Sequence, residues 1–552
     1  MKTYEKALDP AFWQRVRRED AYAGHREDLK KQWEEFCTAP IEDIHYSQFK
    51  QYYETGDRRS FEKYYFARRQ GLNAAALMAL IWPEKPEYLT RAMDQIYAIC
   101  NEYTWVLPAH QKSLEAFNPV HIDLFAAETA LNLSEVYILL GQRLEPMIRR
   151  RVEQEIRRRI LEPYLARKFG WETEATNWTS VCTCGVAISL MNVLPQEARK
   201  LVQRFEDGAA SFLSGYGDDG YCPEGPMYWG YGFGFFTAYA DRVLCFAGID
   251  HFQNPKVERM AAFFQKKYLS GAAEVTFADA DMGTRYSVGI QHYLHNRYPG
   301  AVTVPPACYG SYTDRMARMC LHLRSFMWFD PAICSAECMG EHFGADVQWL
   351  IVRKASYGFA AKAGHNDEPH NHNDVGSFIF AKNGRQLLTD PGRGQYVRDY
   401  FLPETRYDFL HTSSRGHSVP LVGTQQQKPG REFAARRVSW DGKTFAFDMA
   451  QCYGLAELKH LQRSFTVLET GVELTDRIEG SLPVTERFVA TEAPAAEPGK
   501  LRFSDGALTF TPAVLPQVER VEETVEGGVR QTLYRIDIPL PEGTEQFCCR
   551  MG

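Results

Sequence analysis

The sequence predicts a multidomain α+β protein, a helical N-terminal domain followed by an antiparallel β-sandwich. Three observations lead there. The chain has 552 residues, too many for one core when an ordinary domain has roughly 100–200. Up to about residue 325, apolar residues recur at three- and four-residue spacing, as on helix faces. From residues 330–345 onward strict alternation takes over, as in half-buried strands.

The helical reading is clearest over 121–167. HIDLFAAETALNLSEVYILLG is followed by a Gly-Gln break and then by EPMIRRRVEQEIRRRILEPYLAR, whose Arg runs fill the face opposite its apolar stripe. A further helix is predicted from Asn177 through WTSVCTCGVAISLMNVL, then EARKLVQRFEDGAASFLSGYG and YGFGFFTAYADRVLCFAGI. Apolar helices alternate with charged ones, as in layered arrays where one set lines the interior, and no strict repeat is found. In the second part, VQWLIVRKASYGFAAKAG and SFIFAKNGRQLLTD read as strands, the latter turning at Asn383-Gly384. VSWDGKTFAFDMA and LRFSDGALTFTP read as hairpins around Asp-Gly, and strands at this spacing suit a sandwich. A cleft between two such domains is a usual place for a site.

Composition narrows the partners. A net charge of −7 and a pI near 6.1 imply no broad basic face, which argues against nucleic acid. An anionic substrate remains compatible, through a local basic cleft. Aromatics reach 13%; Tyr and Trp offer flat surfaces to sugars, or simply a large aromatic core. No stretch approaches the roughly 20 apolar residues of a membrane span, and no membrane partner is expected. The N-terminus shows no recognisable secretory signal. The 13 cysteines lack zinc-ribbon spacing and read as reduced thiols. The expectation is a cytoplasmic protein, or a secreted or periplasmic one if a signal has been trimmed. An oligomer is compatible with all of this.

Four constellations carry chemistry. The first is HNDEPHNHNDVGSF (365–378), which packs three of the chain's 15 histidines into eight residues. In an extended strand His370, His372 and Asp374 would share one face. With Asp390 or His417 returning alongside, His, Asp and His make a zinc set. A metal site, an acid/base histidine and a polar structural loop are all open readings. The second is DDGYCPEGPMYWGYGFGFF (218–236), where Glu224, Tyr228, Trp229 and Tyr231 cluster at a loop–helix junction. There a Tyr could move a proton, or the rings could form a packed lip. The third is EATNWTSVCTCG (174–185), in which Asn177 or Thr176 caps a helix or a side-chain amide holds a carboxylate. The fourth is NEYTWVLPAHQ (101–111), where Trp105 and His110 line a sugar cleft or pack between helices.

TNWTSVC, DGYCPEGPMYWGYG and PHNHNDVGSF, in this order, resemble the heparinase II/III family of polysaccharide lyases, which includes alginate and oligoalginate lyases. The resemblance spans most of the chain. It implies an incomplete α/α toroid over residues 1–328, a β-sandwich over 329–552, and an active site between them. The implied reaction is β-elimination at a uronic acid: neutralise the carboxylate, remove the C5 proton, protonate the leaving O4. The resemblance maps Asn177 to carboxylate neutralisation, Tyr228 to acid and possible base, and His370 to base or partner of Tyr228. It also implies a divalent metal, generally structural and zinc by preference, on His372, Asp390 and His417. No organic cofactor is implied. Trp178 stands where some members carry a second His, which moves work onto Tyr228 and His370. By proximity, His365, Asn366 and Glu368 are expected to line the substrate site, with Trp105, His110, Trp178, Glu224 and Tyr231. The expected substrate is an anionic polysaccharide or oligosaccharide. A glycosaminoglycan (hyaluronan, chondroitin sulfate, heparan sulfate) leads, and alginate or another polyuronate comes next. A glycoside hydrolase pairing Glu224 with Asp218 or Asp219, and a non-catalytic glycan-binding protein, are the alternatives.

Overall fold

Apolar residues on nearly every face of a helix leave it no place but the interior, and that rule sorts the N-terminal half into layers. The computed structural model describes residues 3–283, 287–309, 316 and 318–552. Helices α1 (Arg59–Ile81), α3 (Leu124–Leu140) and α5 (Asn177–Val193) are buried along most of their length. Between them in sequence run α2 (Pro86–Cys100), α4 (Pro146–Ile156) and α6 (Pro195–Ser214), each buried on one side only. The buried helices pack on one another in chain order, α1 on α3, α3 on α5, and α5 on α7 (Gly234–Ala247). An inner ring wrapped by outer helices results, an α/α toroid as the sequence predicts.

The ring is tight where α3 meets α5. A Cβ on Gly185 would lie 2.8 Å from the carbonyl carbon and oxygen of Ala127, so only glycine permits this approach. Helix α3 also corrects one expectation. With its continuation to Arg143 it is long and apolar enough for a membrane span, yet 83% of that window is buried inside the protein. It carries Glu135, fully buried and paired with Arg324 at 2.7 Å, so it is a core helix.

Strands dominate from Gly340 onward, and all the pairings are antiparallel. One sheet runs from Gln517–Val525 through Val529–Pro539, Val484–Ala490, Arg385–Leu388, Phe378–Lys382, Gly358–Lys362 and Trp349–Arg353 to Gly340–Gly344. A second, eight-stranded sheet runs from Arg436–Trp440 to Ala495–Glu497. The Asn383-Gly384 turn has φ of 51° and 79° at its two residues, the left-handed pair that a two-residue hairpin needs.

The first sheet is covered on both faces, which is why its central strands read as almost continuously apolar. Leu350, Val352, Phe359, Phe378 and Phe380 point into the sandwich core. Their alternates Trp349, Ile351, Ala360, Ile379 and Ala381 join the core of the helical half. The two halves are thereby fused along one sheet face, and the cleft above that seam holds the candidate site.

Gly185→Leu is expected to force α3 and α5 apart and to destabilise the protein by about 1–3 kcal/mol, the usual range for overpacking. A urea titration should show a lower midpoint at unchanged slope; an unaltered midpoint would mean that the inner helices do not touch there.

Candidate active site

Asn177 is the first residue of α5, where Thr176 caps the helix by accepting from the Trp178 N–H. Its own backbone N–H donates to Glu224 Oε1 at 2.8 Å, and its side-chain Nδ2 donates to Glu224 Oε2. One carboxyl group thus fixes the amide orientation and satisfies a free N–H of the helix start. Burial raises the Glu224 pKa, against the opposing pull of His370 and the Asn177 bonds. His370 Nε2 lies 3.9 Å from Glu224 Oε2.

Tyr228 and His370 come from opposite halves of the chain and stack face to face, with ring centroids 3.9 Å apart and planes at 19°. The Tyr228 hydroxyl lies 2.8 Å from that of Tyr396, and Tyr396 donates to Asp279 Oδ2 at 3.0 Å. Since Tyr396 gives its one proton to Asp279, Tyr228 donates to Tyr396. Burial, reinforced by the Asp279 charge, raises the Tyr228 pKa well above that of a free phenol. The side chain is therefore a phenol at neutral pH.

Asp279 is fully buried and collects the site. Oδ2 also accepts from His370 Nδ1 at 2.8 Å, and Oδ1 accepts from His372 Nε2 at 2.9 Å and from the Tyr400 hydroxyl at 2.6 Å. Arg406 approaches Oδ2 at 3.5 Å. Burial alone would raise this carboxyl; the Arg406 charge and the two histidine bonds outweigh it and hold Asp279 well below the usual carboxylate range. Just before it, Ala278 has φ of 62°, a left-handed conformation that costs a non-glycine residue about 1–3 kcal/mol.

The histidine motif is not a strand from His370 to Asp374. His370 has φ of 59°, and this left-handed residue breaks the alternation that would have put His370, His372 and Asp374 on one face. The two rings instead reach different oxygens of Asp279. His372, Asp390 and His417 offer ligand atoms within 4.8 Å of one another, all buried. His417 Nδ1 lies 2.9 Å from Asp390 Oδ2. His372 Nδ1 is buried with no hydrogen-bond partner, and burial lowers the His372 pKa. A neutral imidazole with a buried unpartnered nitrogen, in a His-Asp-His group this close, fits a divalent cation.

Asn177, Tyr228, His370 and Tyr396 open onto one cleft of about 1890 Å³. Among the described residues, ten Lys or Arg and five Asp or Glu line it, so the cleft is basic in a chain whose net charge is −7. Arg393 holds Asp281 by two bonds of 2.6 and 2.7 Å and lies over the Tyr396 ring. Tyr396 N–H donates to Glu526 at 3.0 Å within the sandwich half, and Arg398 N–H lies 3.4 Å from the Gly56 carbonyl of the helical half.

No family model matches the sequence, and no curated protein matches it. Solved structures do match. The crystal structure of heparinase III aligns over 99% of this chain and 93% of its own, with a TM-score of 0.63 at 11% identity. The chain has the fold of heparinase III. A heparan sulfate lyase mutant from Pedobacter heparinus aligns over 96% and 88% (TM-score 0.59, 13% identity). The Streptomyces coelicolor A3 chondroitin AC lyase in complex with chondroitin sulphate aligns over 98% and 82% (0.55, 11%).

Within this heparinase III fold, Asn177, Tyr228 and His370 all line the cleft, as do His110, Trp178 and Tyr231. His110 is held by Asp123 at 2.7 Å and stands 4.8 Å from the Trp178 ring. The Tyr231 hydroxyl donates to Glu128 while Arg318 covers its ring at 4.0 Å. Glu224 sits behind Asn177, 4% exposed, so its contact is with Asn177. The expectations for Trp105, His365 and Asn366 need correction. Trp105 is 1% exposed, with its indole N–H on the Ile99 carbonyl and Arg159 over its ring; it is core and lines no cleft. His365 pairs with Glu368 at 2.8 Å on a two-stranded ribbon, outside the cleft lining, and Asn366 is fully buried beside Gln427. Asp218 and Asp219 are also absent from the lining; Asp219 accepts from the Asp346 N–H.

Asp279, Arg393, Tyr396, Tyr400 and Arg406 were missed by sequence reasoning. The available signal was EVTFADADMG, an alternating acidic segment in the middle of a helical half. The rest lie in irregular chain without periodicity.

Glu224→Gln tests the buried carboxyl. Because its folded pKa is raised above the unfolded value, its protonated form adds stability that is present below the ordinary Glu pKa and lost as pH rises through the folded value. Thermal melts from pH 4 to 8 should therefore show wild type losing stability with rising pH more steeply than Glu224→Gln. Parallel curves would place no titrating carboxyl there.

Proposed function

We propose that this protein is a polysaccharide lyase that cleaves a uronic-acid-containing chain by β-elimination, with a glycosaminoglycan as the leading substrate. The observation that carries the reading is the convergence of Asn177, Tyr228 and an Asp-oriented His370 in one basic cleft. Asn177 neutralises the substrate carboxylate: one side-chain N–H is held by Glu224, and the other is left for the ligand. With Nδ1 donating to Asp279, His370 keeps a bare Nε2 to accept the C5 proton, and the Asp279 charge stabilises the imidazolium that forms. Tyr228, kept a phenol by burial, turns its O–H from Tyr396 to the leaving O4 and transfers the proton there. Excess Lys and Arg around the cleft suit a polyanion. The solved structures of similar fold include lyases for heparan sulfate and a chondroitin lyase, which supports the same substrate class.

The proposal includes a zinc ion held by His372, Asp390 and His417. When bound it supplies charge and fixed geometry at the base of the site. The hydrolase alternative loses support, since Asp218 and Asp219, offered as partners of Glu224, do not line the cleft.

Incubation with hyaluronan, chondroitin sulfates, heparan sulfate, heparin, alginate and their short oligosaccharides should yield the ultraviolet band of an unsaturated uronate. Tyr228→Phe should lower kcat by about 10²–10⁴, the range for a positioned acid/base group. Absence of the band on every member of the panel would sink the lyase reading. Elemental analysis should find one zinc per chain in wild type and little in His417→Ala; a metal-free wild type purified with zinc present would remove the ion from the proposal.

A further inference from the structure

Asp279 makes contacts that a merely structural buried carboxylate would not need. It lies in the helical half of the chain, yet its partners His370, His372, Tyr396, Tyr400 and Arg406 all come from the sandwich half. Its two oxygens divide the work. Oδ2 takes His370 and Tyr396, which face the cleft; Oδ1 takes His372 and Tyr400, which do not.

A carboxylate only accepts hydrogen bonds, so each histidine must present an N–H to it. His370 does so through Nδ1 and His372 through Nε2. One residue therefore imposes opposite tautomers on two histidines that stand two apart. His370 is left with a bare Nε2, and His372 with a bare Nδ1, the buried atom that has no protein partner. The left-handed backbone at His370 lets both rings reach the same carboxylate.

We propose that Asp279 is a positioning residue that couples the His372–Asp390–His417 cation site to the cleft, so that a bound cation sets the orientation of His370 and, through Tyr396, of the Tyr228 hydroxyl. A cation held at Nδ1 would lock the His372 ring with its Nε2–H on Oδ1 of Asp279, the contact seen at 2.9 Å. That contact holds the carboxylate plane, and the plane determines where Oδ2 meets His370 and Tyr396. Carboxylates that hold a ligating histidine in this way usually matter by roughly 10–100-fold. The role of His370 in turnover rests on the lyase reading; the coupling itself does not.

The test therefore has a readout that needs no substrate. Histidine-selective ¹⁵N labelling, with His370→Gln for assignment among the 15 histidines, reports which ring nitrogen carries the proton. Zinc added to chelator-treated wild type should shift the His370 signals toward a protonated Nδ1 and a bare Nε2, at unchanged far-ultraviolet circular dichroism. Asp279→Asn should abolish that response, lowering kcat roughly 10–100-fold with KM little changed. Tyr400→Phe removes one Oδ1 partner from outside the cleft and should give a smaller loss of the same kind. It carries the kinetic test if Asp279→Asn does not fold. The coupling is overturned if zinc leaves the His370 signals in place, or if Asp279→Asn responds to zinc as wild type does. Inactivity of wild type on every uronate, with the zinc response intact, would reject the lyase reading and leave the coupling standing.

Discussion

A charge buried without partners is among the most costly things a fold can contain, and Asp279 is such a charge unless the sandwich half supplies its donors. Two histidines, two tyrosines and an arginine surround it, drawn from residues 370 to 406. Outside the strands Phe378–Lys382 and Arg385–Leu388, most of the chain over that range is irregular. It is ordered by what it must satisfy. The same constraint brings Tyr228, delivered by the helical half, against His370.

Glu224 repeats the device on a smaller scale. It holds the start of α5 and the Asn177 amide together, so a helix end and a loop are fixed by one carboxyl. The two acids differ in outcome. Asp279 has enough donors to stay ionised, whereas burial raises the pKa of Glu224. The Arg406 charge and the two histidine bonds at Asp279, not burial alone, separate them.

The fold was largely legible because it rests on periodicity. Helices apolar all round, charged helices between them, and the Asn-Gly turn at 383–384 each have a local physical cause. The site was legible where its residues sit in short, unusual strings, as with Asn177, Tyr228 and the 370–372 histidines. It was illegible where partners lie far apart: Asp279 precedes His370 by 91 residues, and nothing local marks it as the acceptor. Trp105 shows the opposite failure. An aromatic suited to stacking on sugars is equally suited to a core, and only the Ile99 carbonyl and Arg159 around it decide. His365 was misplaced because nearness in sequence was taken for nearness in space. The left-handed turn at His370 redirects the chain between them.

The doubly covered sheet has a consequence for how such a chain can be divided. Trp349, Ile351 and Ile379 lie in the core of the helical half, so the sandwich has no finished outer surface on that side. Cut at the junction, each piece would present a wide apolar face to water and stick to whatever it met.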